Sequence, residues 1–319
     1  MPRRLPGNRG WRRLPDRLWW QPPMTLPDPS RKPGDRPMVA ILIMLAAVAL
    51  FAGQDTISKY LSSGYPAVEV AWFRYTFSIV AIAAVLPWLE PRTAIRSQRP
   101  KLQIMRGVLL YSSTVLFVIA VYYVPLTTAT AIGFISPLFL TALSIPFLGE
   151  RVGPRRWAAI GVGFIGVLIV VRPGFGGFQW SYLIPIVMAA LYAVYQILTR
   201  MIGGVDRPIT SLLYPTVIGT TLGALPMPFV WVTPTLFDFG MMVLMGIGGT
   251  LSHLCLVYAF AMAKASTLAP FAYTQLLWVT ILGYAFFGDI PDGPTLLGAS
   301  VIVASGLYVL HRERRVKGL

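Results

Sequence analysis

The sequence is poor in charge and nearly lacks the residues that build metal sites and disulfides. Only 12% of its 319 residues are charged, and it has two histidines and one cysteine. The single Cys255 excludes an intrachain disulfide, and no histidine or cysteine pair has metal-ligand spacing. A P-loop, an HExxH motif and a Ser/His/Asp arrangement are also missing. We therefore predict no metal, no cofactor, no enzymatic activity and no ATP-driven pumping by this chain alone.

Long apolar stretches dominate the chain instead. The hydrophobic fraction is 55% and the mean hydropathy +0.66, which is far too apolar for a soluble protein of this length. Ten stretches of roughly membrane-spanning length follow residue 37. They predict an all-α integral membrane protein with ten transmembrane helices, near residues 38–58, 69–89, 104–123, 127–147, 157–171, 180–199, 210–231, 240–261, 266–286 and 294–310.

The basic residues alternate between the gaps that separate these stretches. Of the 27 Lys and Arg residues, 24 fall on the side of the N-terminus. Because positive loops stay in the cytoplasm during insertion, both termini are predicted to be cytoplasmic. This asymmetry accounts for the net charge of +15 without nucleic-acid binding. The three basic residues outside the pattern are Lys59, Arg74 and Arg172, of which Arg172 is a loop residue.

Residues 1–37 differ from the rest of the chain. They contain nine prolines, nine basic residues and three tryptophans, and they have no apolar core of a secretory signal. We predict a disordered cytoplasmic tail. Two alternatives remain open, an anchor on the anionic membrane surface and a start of translation at Met38.

The membrane domain contains a weak internal repeat. An offset of 142 residues places Gln54 on Gln196, and an offset of 139 places Gly107 on Gly246. Repeating units of this kind indicate a duplicated five-helix unit. Since five is odd, the second unit must enter the membrane from the opposite face. Inverted repeats are typical of alternating-access transporters.

Several stretches resemble a known family. The segment 123–173 resembles the EamA domain of the drug/metabolite transporter superfamily. It has Pro137 inside a span and Leu148-Gly149-Glu150 at the end of that helix. The segments 269–278 and 287–289 resemble it again. The resemblance implies a first EamA unit over 38–173, a second over 180–312 and a cytoplasmic end at 313–319.

This resemblance also implies a function. Similar proteins are secondary transporters of a small organic metabolite or drug across the bacterial inner membrane, in either direction, and proton coupling is one option. An uptake permease for a riboflavin-like or S-adenosylmethionine-like solute is one alternative, and a passive channel is another. The expected partners are the organic solute, membrane lipid and, as an option, a second copy of the chain.

Three charged residues inside the spans are the first candidates for the transport site. Asp55 is predicted about 6 Å from the outer edge of the hydrocarbon core, and Arg74 at similar depth. Lys59 lies one helical turn from Asp55. We expect an outward-side ion-pair gate or a proton-linked carboxylate. The alternative is snorkelling of Lys59 and Arg74 to the headgroups, with Asp55 as their local partner.

Polar and aromatic residues near mid-membrane complete the candidate set. His253 is a possible proton or substrate group, with a neutral histidine bonded to a neighbouring helix as the alternative. The aromatic residues could equally be packing residues, and the polar ones could bind an organic solute. The further candidates for substrate binding or gating are Gln54, Trp72, Ser136, Tyr192, Gln196, Tyr273, Gln275 and Trp278.

Glycine and alanine have a different predicted role. The small residues Ala159, Gly163, Gly298 and Gly306 are spaced to form stripes for helix packing or for a dimer contact. The pairs at 149–150 and 288–289 are predicted helix caps.

Overall fold

The computed structural model describes residues 37–85, 96–149, 153–172, 179–202, 205–206, 208–263 and 265–316, and within these ranges every long element is a helix. The predicted N-terminal tail up to residue 36 and Glu150 lie outside the described residues. We number the helices α1 Pro37–Ser62, α2 Ala67–Val85, α3 Pro100–Tyr123, α4 Leu126–Gly133, α5 Ser136–Leu148, α6 Pro154–Val171, α7 Leu183–Ile202, α8 Pro208–Ala224, α9 Met227–Val230, α10 Leu236–Met262, α11 Ala265–Ala272, α12 Gln275–Phe287 and α13 Gly293–Val316.

The prediction of a multi-pass helical membrane protein is confirmed. Among the described residues, seven helical stretches are long and apolar enough to cross a membrane, and two shorter apolar helices cover Trp157–Val171 and Gly293–Val309. The predicted span at 210–231 is not one continuous helix. Helix α8 ends at Ala224, and Pro226 and Pro228 lie at the start of the separate short helix α9. A total of ten membrane spans therefore stays a prediction.

Two predicted spans are broken in the middle. Pro137 has no N–H to donate to the carbonyl of Gly133, and its ring would clash there. The chain turns just before it, and the N–H of Ile135 donates to the carbonyl of Ile132 at 3.0 Å. This break separates α4 from α5.

The second break lies between α11 and α12 and has a different cause. The carbonyl of Phe271 accepts the Thr274 hydroxyl at 2.6 Å and the Thr274 N–H at 3.1 Å. These bonds occupy the oxygen that would accept from Gln275 in a continuous helix. Ser136 and Gln275, the first residues after the two breaks, are related by the predicted 139-residue offset.

Most of the helix packing joins the first half of the chain to the second. Helix α1 packs along α10, and α3 packs along α7; α2 packs against α8, and α6 against α13. The halves are therefore interleaved, and their contact surface runs through the centre of the molecule.

Small residues bring α6 and α13 together. A Cβ added to Gly298 would lie 2.5 Å from the carbonyl oxygen of Gly166, so the two backbones touch there. The Ser305 hydroxyl donates to the carbonyl of Ala159 at 2.6 Å. The predicted packing role of the small-residue stripes is confirmed within the chain. Gly149 and Gly288 are left-handed C-caps with φ of 68° and 67°, as predicted.

Candidate functional site

A cavity of about 250 Å³ lies where the two halves meet. Its wall comes from α1, α2, α3, α4, α5, α7, α10 and α12, so neither half forms it alone. Seven of the predicted site residues line this central cavity, namely Gln54, Asp55, Arg74, Ser136, Tyr192, His253 and Gln275. Sequence reasoning missed the other lining residues, which are Phe51, Leu110, Ser113, Thr114, Phe117, Thr130, Gly133, Phe134, Met188 and Leu256.

Asp55 is held in place by the second half of the chain. It is 9% exposed, and its Oδ2 accepts a hydrogen bond from Gln275 Nε2 at 3.0 Å. The Arg74 guanidinium lines the same cavity and attracts Asp55 electrostatically. However, no Asp55 oxygen lies within 4.0 Å of an Arg74 nitrogen, so the direct ion pair expected from the sequence is absent.

Gln54 is a buried polar side chain that lines the central cavity. It is 2% exposed, and neither its Nε2 nor its Oε1 has a hydrogen-bond partner among the residues that the structure describes. A Cβ added to Gly249 would lie 2.2 Å from Gln54 Oε1, so only glycine leaves room for the amide in its present position. Because an unpaired buried amide costs free energy, it is suited to bind a ligand.

His253 and Tyr192 both line the cavity and both pack against aromatic rings. The His253 ring packs edge-on against Phe51, with 5.0 Å between ring centroids. Within the described residues we find no hydrogen bond from its ring, so the bonded-histidine alternative is not supported. Tyr192 stacks on Tyr195 at 5.5 Å.

Lys59 is paired with a different residue from the one predicted. Its Nζ forms an ion pair with Asp289 and not with Asp55. Lys59 also lies 4.8 Å from the centroid of the Phe287 ring, and Asp289 accepts the Leu126 N–H at 3.4 Å. These four residues, which join the ends of α1 and α12 to the start of α4, are named the Lys59 cluster.

Four more predicted residues lie outside the cavity. Trp72 packs on Phe73 and Trp231 with ring centroids 4.9 and 6.0 Å apart. Trp278 is 39% exposed on the outer surface, because its position on α12 faces away from the other helices. Gln196 is half-buried on α7. Tyr273 contacts Phe134, a lining residue, with 5.1 Å between the ring centroids, and so supports the wall from behind.

A second polar cluster, unrecognised in the sequence, lies at the start of α3. Arg106 is 2% exposed and donates to Gln103 Oε1 at 2.6 Å, to the Ser211 carbonyl at 3.2 Å and to the Tyr195 hydroxyl at 3.3 Å. Gln103 Nε2 in turn donates to Asp206 at 2.8 Å. Arg106 follows a run of loop bases, so its sequence context indicates membrane topology and not a buried cluster. We name these five residues the Arg106 cluster.

A smaller cavity of about 50 Å³ lies between the central cavity and the Arg106 cluster. Arg74, Leu110 and His253 line both cavities, while Tyr195 and Ser211 line the smaller cavity and contact Arg106. The smaller cavity therefore adjoins both the central cavity and the Arg106 cluster. The Lys59 cluster lies beyond Asp55, one helical turn along α1.

The fold and the cavity together define a multi-pass membrane protein with a solute-sized central site. The model of the EamA-like transporter family matches residues 38–172 and matches again at 179–310. The chain therefore belongs to the EamA-like transporter family, as the sequence resemblance indicated. It is a transporter of small molecules.

Curated relatives match most of the chain. It is 30% identical over 271 residues to an S-adenosylmethionine uptake transporter of Rickettsia bellii, covering 85% of this chain and 93% of the relative. It is 30% identical over 285 residues to a riboflavin transporter of Rhizobium johnstonii, covering 88% and 93%. A pseudopaline exporter of Pseudomonas aeruginosa is 24% identical, covering 86% and 96%.

One solved crystal structure shares the fold. It is 18% identical, with a TM-score of 0.62, and the match covers 88% of this chain and 99% of the other. At this identity the likeness concerns the fold alone.

Proposed function

We propose that the protein is an alternating-access secondary carrier that binds one small organic solute in the central cavity. The main support for this proposal is that the cavity is built from both halves of the chain. On one side of it the Lys59 cluster joins α1, α4 and α12, and on the other the Arg106 cluster joins α3 to α7 and α8. Opening one cluster while the other stays closed would expose the site to one face at a time.

The proposed architecture is ten spans in two inverted five-helix repeats. The helix packing supports it, because exchanging the two repeats converts each major helix pair into another such pair or into itself. The pair α1 with α10 becomes α7 with α3, whereas α2 with α8 and α6 with α13 are each exchanged with themselves. A two-fold relation of this kind is what a carrier uses to reach both faces from one site.

We further propose the bacterial inner membrane as the location, with both termini in the cytoplasm because the basic loops lie on that side. In this orientation the Arg106 cluster faces the cytoplasm and the Lys59 cluster faces outward. Two of the relatives named above point to S-adenosylmethionine or riboflavin as solutes, and the first is an uptake transporter. A homodimer and proton coupling through Asp55 remain predictions.

Counterflow in proteoliposomes tests the proposal. Vesicles loaded with unlabelled S-adenosylmethionine or riboflavin should accumulate the labelled form of the same solute, whereas a passive channel would show no such exchange. Asp55→Asn should abolish exchange at unchanged protein yield. The matched control is Asp292→Asn, a loop residue distant from the cavity, which should exchange like the unmodified protein. The proposal is wrong if neither solute exchanges, or if Asp55→Asn exchanges at the normal rate.

A further inference from the structure

Building on the proposed function, we propose that the central cavity selects a zwitterionic solute, with Arg74 binding its carboxylate and Asp55 binding its cationic amine. The solute class is that of an α-amino acid or a larger molecule carrying an amino-acid moiety. A neutral solute of the same size is expected to bind less well.

The first argument is the unused guanidinium of Arg74. Lys59 is paired with Asp289, and Arg106 donates to three oxygens, but Arg74 makes no hydrogen bond or ion pair with any residue that the structure describes. Its closest aromatic contact is the Tyr75 ring, 6.0 Å away. A charge at membrane depth is costly unless it has a partner or a function. Arg74 is half-buried and lines the cavity, which leaves its planar, five-donor group open to a carboxylate.

The second argument is the separation of the two charges. Asp55 and Arg74 face one cavity but do not touch, and Gln275 holds the Asp55 carboxylate from the opposite half. In a directly paired couple the two charges would largely neutralise each other, whereas a separated couple offers both signs of charge to a ligand. A neutral solute would leave both groups desolvated and unpaired, and a simple anion would meet Asp55.

The rest of the wall suits the organic part of such a solute. Phe51, Phe117, Phe134 and Tyr192 supply aromatic surface, and the unpartnered Gln54 amide supplies one donor group and one acceptor. A few placed polar groups within a mostly apolar wall are typical of small-molecule sites. The Gln54 amide would bind a polar group of the solute other than its carboxylate and its amine.

The test compares two solutes that differ only in the carboxylate, and riboflavin as a third solute without an amino-acid moiety. In proteoliposomes, counterflow would be measured with S-adenosylmethionine, with its decarboxylated analogue and with riboflavin, for the unmodified protein and for Arg74→Gln and Arg74→Lys. We expect S-adenosylmethionine to be preferred over the decarboxylated analogue by about 10- to 100-fold, the range of a charge-assisted hydrogen bond. Arg74→Gln should remove this preference while the decarboxylated analogue still exchanges, and Arg74→Lys should restore part of it.

Arg172→Gln is the matched control, since it makes the same change at a loop residue that pairs with Asp292 away from the cavity. It should keep the full preference. Exchange of riboflavin in preference to S-adenosylmethionine would overturn the zwitterion inference and leave the carrier intact. Equal losses for all solutes in Arg74→Gln would also overturn it, because a structural role predicts that result. Failure of every solute to exchange would overturn the carrier proposal itself, and the inference with it.

Discussion

The Lys59–Asp289 ion pair should contribute more to stability than the Arg172–Asp292 ion pair does. The side chains of Lys59 and Asp289 are 15% and 19% exposed, whereas those of Arg172 and Asp292 are 32% and 52% exposed. Exposed pairs contribute about 0–1 kcal/mol, and breaking a fully buried pair costs about 3–5 kcal/mol. The Lys59 pair lies between these limits, so we expect about 1–2 kcal/mol for Asp289→Asn.

The assay is thermal unfolding in detergent with a double-mutant cycle. Lys59→Met, Asp289→Asn and the double variant would be compared with the unmodified protein. A loss of about 1–2 kcal/mol corresponds to roughly 2–8 °C in the midpoint, from the usual 2–4 °C per kcal/mol. Asp292→Asn should shift the midpoint by less, about 2 °C at most. In the unmodified protein the Thr295 N–H donates to Asp292 Oδ1 at 3.0 Å, and the asparagine oxygen can still accept this hydrogen bond.

The coupling between the two substitutions decides the outcome. If Lys59 and Asp289 stabilise the protein through each other, the double variant should lose less than the sum of the two single losses, by about 1–2 kcal/mol. Additive losses, within about 0.3–0.5 kcal/mol, would show that the two residues act independently and would refute the reasoning. Equal shifts for Asp289→Asn and Asp292→Asn would refute the argument from burial.

Two further predictions concern the cavity wall and the Arg106 cluster. Gly249→Ala should displace the Gln54 amide and lower solute exchange about 10-fold, while Gly248→Ala, whose Cβ would meet nothing within 4 Å, should keep normal exchange. At Asp206, burial raises the pKa, but hydrogen bonds from neighbouring residues and the Arg106 charge outweigh it and hold the pKa below its ordinary 3.8. The resulting stabilisation should be complete above about pH 4–5 and disappear as the pH falls through the lowered pKa, so the difference in unfolding midpoint between Asp206→Asn and the unmodified protein should vanish in acid. A difference that persists unchanged at low pH would contradict this assignment.

The apolar stretches and the polar residues inside them were sufficient to predict the helical fold and part of the site. A polar residue in a span is costly, so its presence alone singled out Asp55, Arg74, His253 and Gln275, and the structure places all four around one cavity. However, the free-energy cost of a polar residue in a span does not show which way its side chain points. Trp278 has the side-chain chemistry expected of a site residue, but it faces outward. The rotation of a helix about its axis depends on the helices packed against it, which the sequence of that helix does not show.

Long-range pairing was the other feature that the sequence did not reveal. Lys59 is one turn from Asp55, which made a local pair the natural prediction, yet its partner is 230 residues away. The Arg106 cluster was missed for a related reason, because Arg106 has the same sequence context as loop bases that only orient the chain. The equivalence of Ser136 and Gln275 was a usable signal, as both follow a helix break and both line the cavity.

The three basic residues that lie within or at the ends of the spans near the cavity differ in what remains available on each. Lys59 has an ion-pair partner, and Arg106 is buried with hydrogen bonds to three oxygens, so both link helices that a carrier would have to separate. Arg74 has no such partner in the described part of the chain, and it is the one of the three that lines the central cavity. A charge inside a membrane span is costly without a partner, so the cost at Arg74 has to be offset by something that enters the cavity. A solute carrying an anionic group provides that compensation each time it binds, which makes Arg74 the residue whose replacement should change solute preference more than stability.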